Sequence, residues 1–248
     1  MDWNWLIKTF DPYERQARII PALIVVLPLI LVINALTPEI FSGSGLFFTA
    51  IGIYLGIALM ATIVRDSGRR VEQTLFKEWG GIPTTQLLQH KDTNIEVQTK
   101  QRYHKFLQSH ITDLVLPNAE EEKNHPDKAN DAYASAVSWL REQTRDTKIF
   151  SLVFAENCSY GFRRNLFGMK QMGIVLSILS FIVSISTILD TSGIDTSSLS
   201  SSILLSIAVS LILLLYWFLI VKSSWVKEAR FAYAYRLLAA CDILITRT

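Results

Sequence analysis

The sequence predicts a mainly α-helical, polytopic membrane protein, with four transmembrane helices in two hairpins and a helical cytoplasmic domain inserted between the hairpins. The first observation behind this prediction is a set of four apolar segments that contain no charged side chain. The second is that all 24 Lys and Arg residues lie outside them. A helix of about 20 residues crosses about 30 Å of hydrocarbon, close to the length of each segment. The segments are residues 19–36, 46–64, 174–189 and 203–221.

The positive charges predict the orientation of the chain. Lys and Arg occur only in residues 1–18, 65–170 and 222–248. The two short connections contain only acidic residues as charges: Glu39, Asp190 and Asp195. Because cytoplasmic loops of membrane proteins are rich in Lys and Arg, we expect both termini and the central block to be cytoplasmic. This basic excess suits the surface of an anionic lipid bilayer or a polyanionic ligand.

The same pattern predicts five parts in the chain. They are an interfacial N-terminal segment (1–18), a first transmembrane hairpin (19–64), a cytoplasmic ligand-sensing domain (65–173), a second transmembrane hairpin (174–221) and a cytoplasmic C-terminal helix (222–248).

The first transmembrane helix has a clear predicted start. Asp11 is a suitable N-cap, Pro12 suits the first helical position, and Glu14 faces the positive end of the helix dipole. Pro21 and Pro28 are seven residues apart. Each removes a backbone hydrogen bond, so we expect a bend that serves either packing or gating.

The second apolar segment is predicted to continue as one helix into the cytoplasm. Its helical period persists through Leu75 and Trp79 until Gly80 and Gly81 end it. A single helix over residues 46–79 would carry a displacement in the cytoplasm directly into the bilayer.

The central block is predicted to be helical. Residues 97–114 and 129–140 have the apolar spacing of amphipathic helices. Residues 120–126 are predicted to be a solvated acidic loop, and residues 149–154 form either a strand or a buried helix. Beyond residue 221 the apolar spacing persists, which predicts an extension of the fourth span packed on the central block or on another subunit.

Residues 160–170 lead into the third span and contain adjacent Arg163 and Arg164 between aromatic residues. One interpretation is a juxtamembrane elbow, with the arginines at lipid phosphates. The other is a nucleotide grip that combines phosphate contacts with base stacking.

Hydroxyl side chains recur at helical spacing in the third and fourth spans. They either form hydrogen bonds between packed helices or line a pore. The candidate pore-lining residues are Ser177, Ser180, Ser184, Thr187, Ser206 and Ser210.

No enzyme is predicted. The chain contains none of the common nucleophile, phosphate-loop or zinc motifs, and its four histidines show no paired metal-binding spacing. We therefore expect no catalytic residue, no metal and no cofactor. Cys158 and Cys241 both fall in predicted cytoplasmic regions, where thiols stay reduced.

Six short motifs resemble a known group of proteins. They are Asp11-Pro12-Tyr13-Glu14-Arg15-Gln16-Ala17-Arg18, Arg65-Asp66-Ser67-Gly68, Trp79-Gly80-Gly81-Ile82-Pro83-Thr84-Thr85, Arg102-Tyr103-His104, Thr144-Arg145-Asp146 and Tyr160-Gly161-Phe162-Arg163-Arg164-Asn165. With these motifs the chain resembles the membrane effectors associated with nucleotidyltransferases in bacterial antiphage defence, and in particular the channel-forming effectors of the Hailong system.

This resemblance implies a homo-oligomeric, anion-conducting channel of the bacterial inner membrane, with a tetramer as one candidate. It also implies that single-stranded DNA oligomers from a partner nucleotidyltransferase hold the channel inactive, and that their loss depolarises the membrane. Two alternatives stay open: a channel opened by a cyclic oligonucleotide, and a non-conducting scaffold that recruits a cytoplasmic partner.

Basic residues of the predicted sensing domain are the candidate ligand contacts, chosen by charge and placement. Binding through them should weaken steeply with salt, and cations near a pore entrance would attract anions. They are Arg69, Arg70, Lys77, Arg102, His104, Arg141, Arg145, Arg163 and Arg164.

Overall fold

The computed structural model describes residues 11–38, 45–191 and 201–247, which form helices and no strands. Residues 1–10 of the predicted interfacial segment (1–18) and most of both predicted hairpin connections lie outside the described residues. The helices are α1 (Pro12–Leu36), α2 (Gly45–Glu78), α3 (Pro83–Gln86), α4 (Val97–His110), α5 (Ala119–Asn124), α6 (Pro126–Gln143), α7 (Ser151–Gly168), α8 (Lys170–Thr191), α9 (Ser201–Leu219) and α10 (Ser223–Ile245).

The helices contribute to two compact units. Unit 1 contains Met1–Glu72 and Gly161–Val226, and unit 2 contains Gln73–Tyr160 and Lys227–Thr248. These limits follow packing, whereas the predicted sensing domain over residues 65–173 follows hydropathy, so that domain boundary stays a prediction.

In unit 1, helices α1, α8 and α9 pack pairwise against one another. Their outer faces leave many large apolar side chains exposed, as expected where lipid rather than water surrounds a bundle. The buried core is small: Ala22, Val25, Val64, Leu166, Met169, Trp217 and Val221.

Unit 2 has a larger core of aliphatic and aromatic side chains. It draws on α4, α6, α10, the start of α7 and the segment between α3 and α4. Its largest members include Leu87, Leu88, Leu107, Tyr133, Leu140, Leu237 and Leu238. Burial of these residues gives unit 2 its own hydrophobic stabilisation.

Among the described residues, three helices are long and apolar enough to cross a membrane: Pro12–Leu36, Lys170–Leu189 and Ser201–Leu219. They indicate a membrane protein. The second of the four predicted spans, residues 46–64, forms the N-terminal part of α2 and is not among these three. Four spans in two hairpins therefore stay a prediction.

The start of α1 forms as predicted. The Asp11 carboxylate accepts a hydrogen bond from the Tyr13 amide at 2.8 Å, and Pro12 occupies the first turn. Glu14 forms an ion pair with Arg18 at 2.8 Å one turn later. A π-helical segment, Arg15–Ile19, follows.

The predicted long helix is confirmed, since α2 runs without interruption from Gly45 to Glu78. It ends where the sequence indicates. Gly80 and Gly81 have φ values of 79° and 137°, which L-residues rarely adopt, and the Gly81 amide donates to the Phe76 carbonyl at 2.8 Å.

Two expectations about the central block and the C-terminus are wrong. The predicted loop over residues 120–126 contains α5, because Asn118 and Glu121 form a reciprocal capping box. The fourth span does not extend into the C-terminal helix, since α9 ends at Leu219 and α10 begins at Ser223. Packing of α10 on the core of unit 2 is confirmed.

Candidate functional site

Helix α7 presents a face of small residues within unit 1. Gly161 packs against Ala17 and Tyr13, and Gly168 packs against the backbone of Ser67. A Cβ atom on Gly168 would lie 2.7 Å from the Ser67 carbonyl carbon. Glycine is required there because α2 and α7 approach at backbone distance.

Asn165 lies on the same face and is fully buried. Its Nδ2 donates to the carbonyl of Ala17 at 2.6 Å. In a regular helix this carbonyl would accept from residue 21, but Pro21 has no N–H. Asn165 therefore gives this carbonyl a donor that Pro21 cannot supply.

Arg164 completes this cluster. Its guanidinium donates to Asn165 Oδ1 through Nε at 3.1 Å and Nη2 at 3.0 Å, and it forms an ion pair with Glu72 at 3.2 Å. Arg163 donates to the Trp225 carbonyl at 3.0 Å and lies 5.0 Å from the Trp225 ring centroid. Both arginines of the predicted nucleotide grip thus have partners within unit 1.

The hydroxyl stripes of α8 and α9 face each other. Ser184 donates to Ser206 at 3.0 Å, and Ser177 donates to the Gly173 carbonyl at 2.7 Å. The Trp217 ring lies against Gly173, so the two helices are antiparallel. We call this contact the serine seam.

Two hydroxyls of the serine seam have no hydrogen-bond partner within the described part of the chain. Ser180 is 2% exposed and Ser210 is 0% exposed. Each lies one turn beyond the Ser184–Ser206 pair, in opposite chain directions, so both are at the same level of the bundle. Thr187 is half-buried and donates to the Val183 carbonyl at 2.9 Å. Five of the six predicted pore-lining residues are therefore buried within one chain: Ser177, Ser180, Ser184, Ser206 and Ser210.

Unit 2 contains a buried polar network. Lys100 is 5% exposed, and its Nζ donates to the carbonyls of Gln89 and Asp92, each at 2.6 Å. Burial lowers the pKa of Lys100, although the carboxylates of Asp92 and Glu122 oppose this shift. The ammonium group closes the segment between α3 and α4 onto α4.

Glu122 anchors the network from α5. Its carboxylate accepts from the His90 amide at 2.8 Å, the Tyr133 hydroxyl at 2.7 Å and the Lys91 amide at 3.4 Å. Burial raises the pKa of Glu122, but these hydrogen bonds outweigh burial and hold the pKa below its usual value. Burial and the same carboxylate raise the pKa of Tyr133.

His104 is buried beside this network. Its Nε2 lies 2.8 Å from the Leu88 carbonyl oxygen, and because a carbonyl only accepts, this nitrogen carries the proton. Burial lowers the pKa of His104, so the ring is neutral near pH 7. The ring also contacts those of His90 and Tyr133, with centroids 5.2 and 5.7 Å away. His104 therefore belongs to the buried interior of unit 2.

The remaining predicted ligand residues are exposed. Arg69 and Arg70 lie on the unit 1 part of α2, and Lys77 and Arg141 belong to unit 2. Two further arginines of unit 2 form surface ion pairs, Arg102 with Asp242 at 2.7 Å and Arg145 with Glu142 at 2.6 Å. Pairs of this kind contribute little to stability and exchange readily.

Arg230 is a half-buried cation that the sequence did not suggest. Its guanidinium carbon lies 4.7 Å from the Tyr160 ring centroid, 5.1 Å from that of Tyr233 and 5.4 Å from that of Phe76. Its Nε is buried and has no hydrogen-bond partner among the residues that the structure describes. The three rings come from α7, α10 and α2, so Arg230 joins these helices within unit 2 through cation–π contacts.

Sequence reasoning also missed Glu122 as a site residue. The one available signal was the Asn118 and Glu121 spacing of a capping box, which predicts a helix and places Glu122 on a defined face. No sequence pattern pairs Glu122 with Tyr133 or with the amides of residues 90 and 91.

Comparisons with protein-family models, with curated proteins and with solved structures found no match to this chain.

Proposed function

We propose that this protein is a ligand-gated membrane effector of antiphage defence, which forms an oligomeric, anion-conducting channel. The observation that carries the proposal is that the chain divides into two different units. Unit 1 is an apolar helical bundle with three candidate spans. Unit 2 has a hydrophobic core of the kind found in water-soluble domains, together with buried charges. A protein that only anchored itself would need no second folded unit. The continuous helix α2 supports mechanical coupling, since it contributes residues to both units.

The proposed ligand is an oligonucleotide made by a partner nucleotidyltransferase, and single-stranded DNA oligomers hold the channel closed. A polyanionic ligand is supported by the exposed cations of the chain, which include Arg69, Arg70, Lys77 and Arg141. The resemblance carried by the six sequence motifs supports the identity of the ligand and the sign of its effect.

The proposed conduction path runs along the serine seam. Because Ser177, Ser180, Ser184, Ser206 and Ser210 are buried between α8 and α9, conduction along them requires these helices to separate or to repack between subunits. The two hydroxyls without partners, at Ser180 and Ser210, make the closed seam less favourable than a fully bonded one.

Flux from proteoliposomes tests the function. Vesicles that contain the full-length chain should release chloride, and an added single-stranded DNA oligonucleotide should suppress the release. Vesicles that stay tight under every ligand condition would remove the channel proposal. Release that starts only when a cyclic oligonucleotide is added would instead favour the opposite sign of gating.

A disulfide across the serine seam tests the path. The Ser184 and Ser206 hydroxyls are 3.0 Å apart, so the double variant Ser184→Cys with Ser206→Cys places two thiols within reach of each other. Oxidation should stop chloride release, and reduction should restore it. The single variant Ser184→Cys is the matched control and should respond to neither treatment. Equal release from the oxidised and reduced double variant would place the path elsewhere.

A non-conducting scaffold is the second candidate. It is favoured by the closed serine seam and by the internal partners of Arg163 and Arg164, because a scaffold needs neither a pore nor a free arginine pair. A scaffold would give tight vesicles, and cross-linking its seam would leave partner recruitment unchanged.

A further inference from the structure

Unit 2 contains a polar cavity that none of the predicted ligand residues lines. Its volume is about 470 Å³, within the range of small-molecule sites. Three segments form its wall: the chain after α3, helix α5 and the first turns of α6. The residues that matter to its chemistry are Gln89, His90, Lys91, Glu122, Lys123 and Asn130.

The wall of the cavity includes a pair of amide side chains. Gln89 is 8% exposed, and its Nε2 donates to Asn130 Oδ1 at 2.7 Å. This bond uses one donor of Gln89 and one acceptor of Asn130, and the Gln89 carbonyl oxygen and the Asn130 amino group take no part in it. Glu122 also lines the cavity, and its carboxylate accepts from the His90 amide and the Tyr133 hydroxyl. Its negative charge offsets one of the two lysine charges of the wall.

The rim of the cavity is positive. Lys91 and Lys123 are exposed and line it from two segments. Pro126, at the first position of the 18-residue helix α6, also lines the cavity. The positive end of the α6 dipole therefore adds to the field of the two lysines. Asp127 in the same turn opposes it and is not part of the wall.

We propose that this cavity binds a small phosphate-bearing molecule of mononucleotide size. Lys91 and Lys123 hold the phosphate, and the amide pair of Gln89 and Asn130 pairs with the donor and acceptor edge of a polar heterocycle. Binding itself is independent of conduction; only its consequence, a change in gating, rests on the proposed function. A ligand in the cavity would bridge α5, α6 and the segment that Lys100 closes onto α4.

Calorimetric titration of the full-length chain in lipid nanodiscs tests the proposal, with AMP, adenosine and inorganic phosphate as probes. AMP should bind saturably and at least tenfold more tightly than either of the others, because only AMP engages both lysines and the amide pair. The double variant Lys91→Gln with Lys123→Gln should lose at least tenfold in affinity for AMP. Lys128→Gln removes an exposed charge of α6 outside the wall and should bind as the wild type does.

Asn130→Asp probes the amide pair at nearly constant size. The new carboxylate still accepts from Gln89 Nε2, but it lacks the amino donor and repels phosphate. It should therefore abolish AMP binding while hydrogen exchange of α6 stays unchanged. Absence of saturable AMP binding to the wild type would overturn the proposal, as would equal losses in Lys128→Gln and in the double lysine variant.

The two proposals fail in different ways. AMP binding that Asn130→Asp abolishes, in a chain whose vesicles stay tight, keeps the cavity site and removes the channel. Chloride release that an oligonucleotide suppresses equally well in wild type and in the double lysine variant, together with no AMP binding, keeps the channel and removes the cavity site.

Discussion

Unit 1 and unit 2 are both helical, but different side chains hold their helices together. Unit 1 relies on glycines at helix contacts, on Asn165 and on hydroxyl pairs, and it exposes its leucines. Unit 2 buries its leucines and adds a charged network. Lipid tails are as apolar as leucine, so burying leucine between membrane helices gains little, whereas in water the same burial provides the main driving force.

Truncating one leucine in each unit should give the largest contrast. Leu237 is fully buried in unit 2, and Leu237→Ala should lower the free energy of unfolding of that unit by about 4 kcal/mol. Leu211 on α9 is 43% exposed, and Leu211→Ala should change the stability of unit 1 in a bilayer by less than about 0.5 kcal/mol. Hydrogen exchange of the full chain in nanodiscs measures both. Equal losses of stability in the two variants would contradict this difference between unit 1 and unit 2.

Gly168→Ala should damage unit 1 almost as strongly. The added methyl group would lie 2.7 Å from the Ser67 carbonyl carbon and 2.8 Å from the Gly68 nitrogen, and backbone atoms cannot move aside cheaply. We expect a loss of about 3 kcal/mol, measured by thermal unfolding in nanodiscs. Gly56→Ala on α2 is the control, because nothing lies within 4 Å of its added methyl group. A neutral Gly168→Ala would mean that small-residue contact does not hold unit 1.

Asn165→Ala should cost about 2 kcal/mol, since the Ala17 carbonyl loses its donor in a buried site. A double-mutant cycle with Pro21→Ala sharpens this prediction. Residue 21 then has an N–H that can bond to the Ala17 carbonyl, so Asn165→Ala should cost less in that background. Thermal unfolding of the four variants measures the coupling. Strictly additive losses would show that Asn165 acts through another contact, such as the one to Arg164.

The smallest predicted effect is the dependence of the stability of unit 2 on pH. Burial lowers the folded-state pKa of His104, so the unfolded chain binds a proton more readily and stability falls as pH drops below about 6.5. The slope from one such group is at most about 1.4 kcal/mol per pH unit. Hydrogen exchange of α4 between pH 7 and pH 5 measures it. His104→Gln retains a donor for the Leu88 carbonyl and should flatten the slope; an unchanged slope would assign it to another group.

Acidification below the range of His104 should continue to weaken unit 2. The pKa of Glu122 is held below its usual value, so this carboxylate contributes stability that is lost as pH falls through that lowered pKa. Lys100 and His90 face the same network. The serine seam of unit 1 contains no acid or base at Ser184 or Ser206, so it should show no matching dependence.

Much of the helical structure was predictable because local rules govern it. The Asp11 cap, the α2 helix and its glycine stop, and the amphipathic face of α6 all formed as the spacing indicates. The acidic run at residues 120–122 was mistaken for loop because charge outweighed a capping signal at Asn118. Glu122 faces inward because its carboxylate accepts a hydrogen bond from Tyr133 on the next helix, and not because of its immediate neighbours in the chain.

The predicted site residues show the same difference between local patterns, which were predictable, and contacts between distant residues, which were not. Helical spacing correctly grouped Ser177, Ser180 and Ser184 on one face, but the period of a helix does not say what that face meets. Arg163 and Arg164 were predicted from their charge and their placement between aromatic residues. Their contacts with Trp225 and Glu72 join positions about sixty to ninety residues apart in the chain. The cavity beside Gln89 and Asn130 is formed by three separate segments of the chain, so no local pattern predicts it.

By itself, the sequence determined that the chain is mainly helical, that its apolar segments suit a membrane, and that its cations lie apart from those segments. Helix capping, apolar length and charge distribution act over a few residues, so they can be read in order along the chain. Only the tertiary structure decided which polar groups are buried together: Asn165 at Ala17, Ser184 at Ser206, and Glu122 at Tyr133. A buried polar group needs a partner, and that partner is chosen by the packing of distant helices.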